Sequence, residues 1–356
     1  MRGRIIAVLA AAAAVLGCMP SPQSGGSAPQ SHDEGPLSHD ENWGRCTSRS
    51  PDISIEGCTA VIQSGQRRSE NLALAYGRRA TAYARKGDYD RAIPDFDQAI
   101  KLNPNDPLAF YGRGDTFGHM GQREREIQDY DQAITLDPSF ARALVNRGNA
   151  YDDLGQHDRA IEDYDRAIDL EPSEARAFVN RGIAYARMGR YSRAIEDYDE
   201  AIKLNPNGAN AFNNRGIAFG QLGQYDRATQ DFDRSIELDP REPDAWSNRC
   251  WSRAIVGQLQ QALADCDGAL RLRPQNADTL DGRGLTHLKM RQPDLAVADY
   301  DAALAIAPKL ANALYGRGLA KRMRGDAAGA DADIAAAKAL DPQIESRFES
   351  YGIRGD

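Results

Sequence analysis

The chain has 356 residues, 41% of them hydrophobic and 27% charged, with a mean hydropathy of -0.60. That composition suits an ordered, water-soluble protein, but it is polar for one large globule and fits a thin, elongated core better. The net charge of -8 disfavours nucleic acid or an anionic bilayer as the main ligand.

The N-terminus carries Arg2 and Arg4, then an apolar run from Ile5 to Leu16, then Gly17-Cys18. As helix the run is about 18 Å long against a hydrocarbon core of about 30 Å, too short for a lasting span. Residues 1–17 have the layout of a secretory signal peptide, and removing them leaves 42 basic against 52 acidic residues, a net charge of -10. The tetrapeptide Val15-Leu16-Gly17-Cys18 resembles the lipobox of bacterial lipoproteins, in which the cysteine is acylated and becomes the mature N-terminus. The resemblance implies a lipid on Cys18. Because Met19 stands where Asp is associated with inner-membrane retention, it also implies an outer-membrane anchor facing the periplasm, with no other membrane contact. An ordinary cleaved signal, giving a soluble periplasmic or secreted protein, is the alternative.

Residues 18–42 are rich in Pro, Ser, Gly and Gln and nearly free of large apolar side chains, so they read as a flexible tether with a reach of roughly 25 to 30 Å. The near-duplicate SHDE at Ser31 and Ser38 sets His32 and His39 beside carboxylates. No fixed geometry supports a metal there, and a solvated linker is the better reading. In residues 43–72, Ile55, Cys58, Val61 and Ile62 form the stripe of a second repeat helix, which makes this segment a degenerate opening hairpin.

From there one pattern dominates. Pro104, Pro138, Pro172, Pro206, Pro240, Pro274, Pro308 and Pro342 stand 34 residues apart without a slip. Setting each proline at position 32 gives eight repeats over 73–344. Position 20 is Ala in all but one (Glu126), position 24 is aromatic in the first five, and position 8 is mostly Gly. Gly87, Gly121, Gly155, Gly189, Gly223, Gly257 and Gly325 at position 15 break the chain between two helical stretches. Each unit is a helical hairpin, in which a ring at position 24 meets an empty site at position 8.

These residues strongly resemble the 34-residue signature of the tetratricopeptide repeat. The resemblance implies an all-α, right-handed superhelical solenoid in which each hairpin buries its apolar stripe against its neighbours and the first helices line the concave side, where ligands lie. Residues 345–356 read as a C-terminal cap, with Ile344, Phe348 and Tyr351 spaced to cover the last stripe.

Used as its own alignment, the repeat places Cys250 at position 8 and Cys266 at position 24 of the same unit, the two positions that bring the helices together elsewhere. Cys46 and Cys58 are similarly placed about a turn near Pro51. Disulfides Cys46–Cys58 and Cys250–Cys266 in an oxidising compartment are expected, with free buried thiols as the alternative.

Asp-aromatic-Asp recurs, as at Asp95/Asp97 and Asp299/Asp301, but residues two apart on a helix point about 200° away from each other and cannot chelate one cation. Arg at position 7 and Asp at position 23 occur in every repeat, from Arg79 and Asp95 to Arg317 and Asp333. An Arg–Asp ladder follows, either stapling each hairpin or joining adjacent ones. His119, His157 and His287 are scattered, and no Walker, G-x-S-x-G, H-E-x-x-H or Cys-His pattern is present. No enzyme, metal or cofactor is expected.

Asn146, Asn180, Asn214 and Asn248 occupy position 6 of four consecutive repeats. In N-R-G form this is similar to the repeat domain of O-linked N-acetylglucosamine transferase, whose Asn ladder grips the backbone of an extended peptide. An amide both donates and accepts, which suits backbone irrespective of sequence. Asn149, Asn213 and Trp251 share the implied groove, Trp251 either as an exposed anchor or packed against a neighbouring unit. The expected function is a non-enzymatic binding scaffold for a protein or extended peptide segment, in envelope assembly or in regulating cell-wall or secretion machinery. A self-associating structural protein with an empty groove is the alternative.

Overall fold

The computed structural model describes residues 38–65 and 68–353, so the signal-peptide and lipidation readings at residues 1–18 fall outside the described residues. Among those residues there are 19 α-helices and no strand, and no helix is long and apolar enough to cross a membrane. The chain divides into two compact units, one ending at Pro172 and the other starting at Ser173.

The first unit holds α1 (His39–Cys46), α2 (Pro51–Gln63), α3 (Ser69–Arg85), α4 (Tyr89–Leu102), α5 (Pro107–His119), α6 (Arg123–Leu136), α7 (Ala141–Asp153) and α8 (His157–Leu170). The second holds α9 (Ala175–Arg187), α10 (Tyr191–Leu204), α11 (Ala209–Gln221), α12 (Tyr225–Leu238), α13 (Pro243–Val256), α14 (Leu259–Leu272), α15 (Ala277–Lys289), α16 (Pro293–Ile306), α17 (Ala311–Met323), α18 (Ala327–Leu340) and α19 (Ile344–Ser350). Within each unit an odd helix packs on the even one that follows it, and that even helix packs on the next odd one. Successive odd helices also touch, so they line one side of each unit.

The alanines at position 20 let the helices close on each other. Ala92, Ala160, Ala194, Ala228, Ala262, Ala296 and Ala330 are fully buried. The exception, Glu126, is also buried and is held by Arg123 at 2.7 Å. Position 8 is empty because the ring at position 24 fills it. A Cβ added at Gly182 would lie 2.6 Å from Tyr198 Cε1, and one at Gly216 would lie 2.7 Å from Phe232 Cε1. The turn at position 15 is left-handed, as at Gly87 (φ 76°), which costs glycine little. In the seventh repeat this position is Arg291, held at φ 56°.

Both expected disulfides are formed. Cys46 and Cys58 bond with Cα atoms 4.4 Å apart, and Cys250 and Cys266 with Cα atoms 5.3 Å apart. In the sixth repeat the covalent link thus replaces the glycine and ring pairing used elsewhere.

The Arg–Asp ladder does both of the things the sequence left open. Arg113 Nε and Nη2 donate to Asp129 Oδ2 and Oδ1 of its own hairpin at 2.8 and 2.7 Å, while Nη1 donates to Asp97 of the preceding hairpin at 2.6 Å. Arg147, Arg215, Arg249, Arg283 and Arg317 repeat the arrangement, reaching back to Asp131, Asp199, Asp233, Asp267 and Asp301. The Asp-aromatic-Asp motif is thereby explained: its first carboxylate closes a hairpin, its second receives the arginine of the next, and the ring between them fills position 8. In the last hairpin, which has no successor, position 25 is Ala335. At the other end Arg79 closes its hairpin on Asp95 and turns Nη1 to Thr59 Oγ1 at 3.1 Å.

Helix α1 begins at His39, inside the segment read as tether. Ser38 Oγ accepts from the Glu41 amide at 3.2 Å, and the Ser38 amide donates to Glu41 Oε2 at 2.6 Å. This reciprocal S-x-x-E capping box starts a helix where composition suggests none.

Candidate functional site

The side chains singled out for binding lie on odd helices. In the first unit, Asn146 on α7 donates through Nδ2 to the Tyr111 hydroxyl of α5 at 3.0 Å and approaches the Tyr130 hydroxyl at 3.5 Å. Asn149, one turn on, accepts from the Tyr164 hydroxyl at 2.8 Å. Both amides therefore fasten tyrosines, Asn146 those of α5 and α6 and Asn149 that of α8.

In the second unit, Asn180, Asn214 and Asn248 recur at 34-residue spacing on α9, α11 and α13. Asn248 donates through Nδ2 to Asn213 Oδ1 at 3.2 Å, a position-6 to position-5 contact between adjacent hairpins in the same register as Asn146 to Tyr111. Each amide nitrogen has two protons and each amide oxygen two lone pairs, so Asn248 keeps one N–H and its oxygen beyond that bond. Asn214 is 6% exposed, and its amide has no hydrogen-bond partner among the described residues. Asn180 is half-buried.

Trp251 is not an exposed anchor. It is 8% exposed and meets the Tyr351 ring edge-on with centroids 6.0 Å apart. The chain after α19 returns onto the odd helices and covers it, a fold-back that the cap spacing of Ile344, Phe348 and Tyr351 does not encode.

One open site was not singled out in the sequence. In the first unit a cavity of about 280 Å³ is lined by Leu74, Gly77, Arg78, Thr81, Phe96 and Leu108 among others. Leu74 and Leu108 are 44% and 64% exposed, and Arg78, in the position-6 register, makes no ion pair among the described residues. The signal for it is the break in the Asn pattern at Arg78 together with Leu at position 2 of two successive repeats. Among the described residues, no group of three or more His, Cys, Asp or Glu is placed to hold a metal ion. What the odd-helix side offers is amides, a guanidinium and apolar patches, the chemistry of recognition.

Family models of the tetratricopeptide repeat match residues 73–106, 108–140, 145–209 and 209–242. No curated protein matches the chain. Among solved structures, a tetratricopeptide repeat protein from Parabacteroides merdae is 20% identical with a TM-score of 0.55, over 74% of this chain and 99% of that one. The pilF protein of Pseudomonas aeruginosa is 18% identical with a TM-score of 0.54, over 59% and 96%. A chain of the APC/C hetero-tetramer Cut9-Hcn1 is 17% identical with a TM-score of 0.58, over 79% and 54%. At these identities the likenesses show the fold. The chain is a tetratricopeptide-repeat protein, and proteins of this family are protein-interaction scaffolds that bind proteins or peptides.

Proposed function

We propose that this protein is a non-enzymatic scaffold of the bacterial cell envelope, tethered through Cys18 and facing the periplasm, that binds an extended segment of a partner along its odd helices. The observation that carries the binding reading is Asn214. It is 6% exposed and stands between Asn180 and Asn248 at 34-residue spacing, so a peptide backbone laid along α9, α11 and α13 would meet a row of amides that can donate and accept. The amide groups that Asn248 keeps beyond its bond to Asn213 would extend that grip, and a segment on the first unit would meet Asn146 and Asn149. Two disulfides support an oxidising compartment, in keeping with the signal-like residues 1–17. Envelope assembly, or control of cell-wall or secretion machinery, is the role such a tethered scaffold would serve.

Affinity capture from cell envelopes tests the binding. Wild type is compared with a variant carrying Asn146, Asn180, Asn214 and Asn248→Ala that keeps its helicity by circular dichroism. A partner present with wild type and missing with the variant supports the reading, and identical captures sink it. The anchor is tested separately: Cys18→Ser should move the protein from the membrane fraction to the soluble one.

A further inference from the structure

A capping segment needs only to cover the last hairpin, and the first part of the C-terminal segment does so. Ile344 is fully buried and Phe348 is 1% exposed, with the Phe348 ring 4.8 Å from that of Tyr315 on α17. The chain then goes further. Tyr351 reaches Trp251 on α13, and its backbone carbonyl accepts from Lys289 Nζ of α15 at 3.0 Å. Lys289 also donates to the Ile255 carbonyl at 2.8 Å. Three odd helices are thereby bridged by a segment that is 62 residues from Lys289 in sequence.

These contacts look like those of a ligand. The Tyr351 ring meets Trp251 and its main-chain carbonyl accepts from an ammonium, the elements by which a groove holds a peptide. They also confine polar groups at some cost. Burial lowers the Lys289 ammonium pKa. It raises the fully buried Asp281 carboxyl well above its ordinary value, with Asp278 adding to the effect, and Asp281 Oδ1 has no hydrogen-bond partner among the described residues. Water would reach such groups if the segment lifted, so release recovers part of what it gives up.

We propose that residues 351–353 are a resident ligand of the face formed by α13 and α15, and that this face takes from a partner the same chemistry: an aromatic side chain against Trp251, with a backbone carbonyl for Lys289. The inference rests on the odd-helix side being the binding side and names what that side recognises in these repeats. The resident segment keeps the face closed until a competing segment displaces it.

The test uses a labelled synthetic peptide of residues 341–356, followed by fluorescence anisotropy against two proteins. One is the full mature chain. The other ends at Ser350, which keeps Ile344 and Phe348 and removes Tyr351. The shortened chain should bind at least tenfold more tightly than the full chain, and Trp251→Leu in the shortened chain should weaken binding at least tenfold. Equal affinities, or no binding by a shortened chain of unchanged helicity, overturn the proposal. If truncation lowers helicity, Tyr351→Ser in the full chain replaces it under the same two outcomes. Hydrogen exchange on the intact protein gives a second readout. The amides of Tyr351, Gly352 and Ile353, bonded to Arg347, Glu349 and Phe348 carbonyls, should exchange at least 100-fold faster than those of α15, and equal rates overturn the proposal. Light scattering that shows dimers of the full chain and monomers of the shortened one would make a second copy the owner of the segment, which also overturns it. The peptide assay contains no envelope partner, so its failure leaves the capture experiment intact, and failed capture leaves the peptide result standing.

Discussion

Arg215 can be used to weigh the two halves of the ladder against each other. Its guanidinium donates to Asp231 at 2.8 and 2.7 Å and to Asp199 at 2.6 Å, yet the two carboxylates differ greatly in exposure, with side chains 8% and 52% accessible. Asp199→Ala removes a partner that water replaces easily and should cost about 0.2 to 1 kcal/mol. Arg215→Met strands the buried Asp231, for which breaking a buried pair suggests about 3 to 5 kcal/mol. The expected loss is therefore about 3 to 5 kcal/mol. The double variant Arg215→Met with Asp231→Leu should return to within about 1 kcal/mol of wild type. Urea unfolding by circular dichroism measures the series. Because repeat arrays need not unfold in one step, hydrogen exchange of α11 and α12 should accompany it. Equal costs for Asp199→Ala and Arg215→Met, or a double variant that costs the sum of its parts, would refute the assignment of roles.

Two other perturbations follow from local geometry. Arg291 sits at φ 56° where the other repeats have glycine. Arg291→Gly should therefore raise stability by up to about 1 kcal/mol in the same urea assay, and a loss would mean the side chain makes a contact that matters. At Asp333, burial acts to raise the pKa, but hydrogen bonds from Arg317 and Lys321 outweigh it and hold the carboxyl below its usual range. A carboxyl depressed in the folded state contributes stability above its unfolded value near 4 and loses it as pH falls through the folded value. The gap between wild type and Asp333→Asn should accordingly be widest above about pH 4 and close in stronger acid, and a gap independent of pH would count against the pairing.

The hairpins were legible because the constraint behind them is periodic: a ring that needs a hole, alanines where two helices nearly touch, a glycine where the chain turns left-handed. The Arg–Asp pair within a hairpin and both disulfides were legible for the same reason, since each falls on positions the repeat itself aligns. What escaped was non-periodic or reached across repeats. The partner of the second Asp of Asp-aromatic-Asp escaped because its arginine belongs to the next unit. Ser38 to Glu41 lay in a stretch whose composition favours disorder, and two reciprocal cap bonds are too small a signal to show against it. The environment of Trp251 depends on a segment a hundred residues downstream, which helical spacing alone cannot place. The cavity by Arg78 arises from what the first repeats lack in the Asn pattern, and absence is weak evidence in a sequence.

The backward-reaching arginine also bears on how such a chain can change length. Within each unit, from the α5–α6 hairpin on, an internal hairpin presents an arginine to its predecessor's aspartate and an aspartate to its successor's arginine, so its two junctions are chemically the same plug and socket, whereas Arg79 meets Thr59 instead. Excising or duplicating one whole 34-residue unit would rejoin matching ends and leave no stranded charge. The α17–α18 hairpin differs: Ala335 offers no socket, and α19 packs against α17 and α18. Exchange of whole units between such junctions therefore preserves the ladder, while Ala335 marks the one repeat whose second carboxylate is missing.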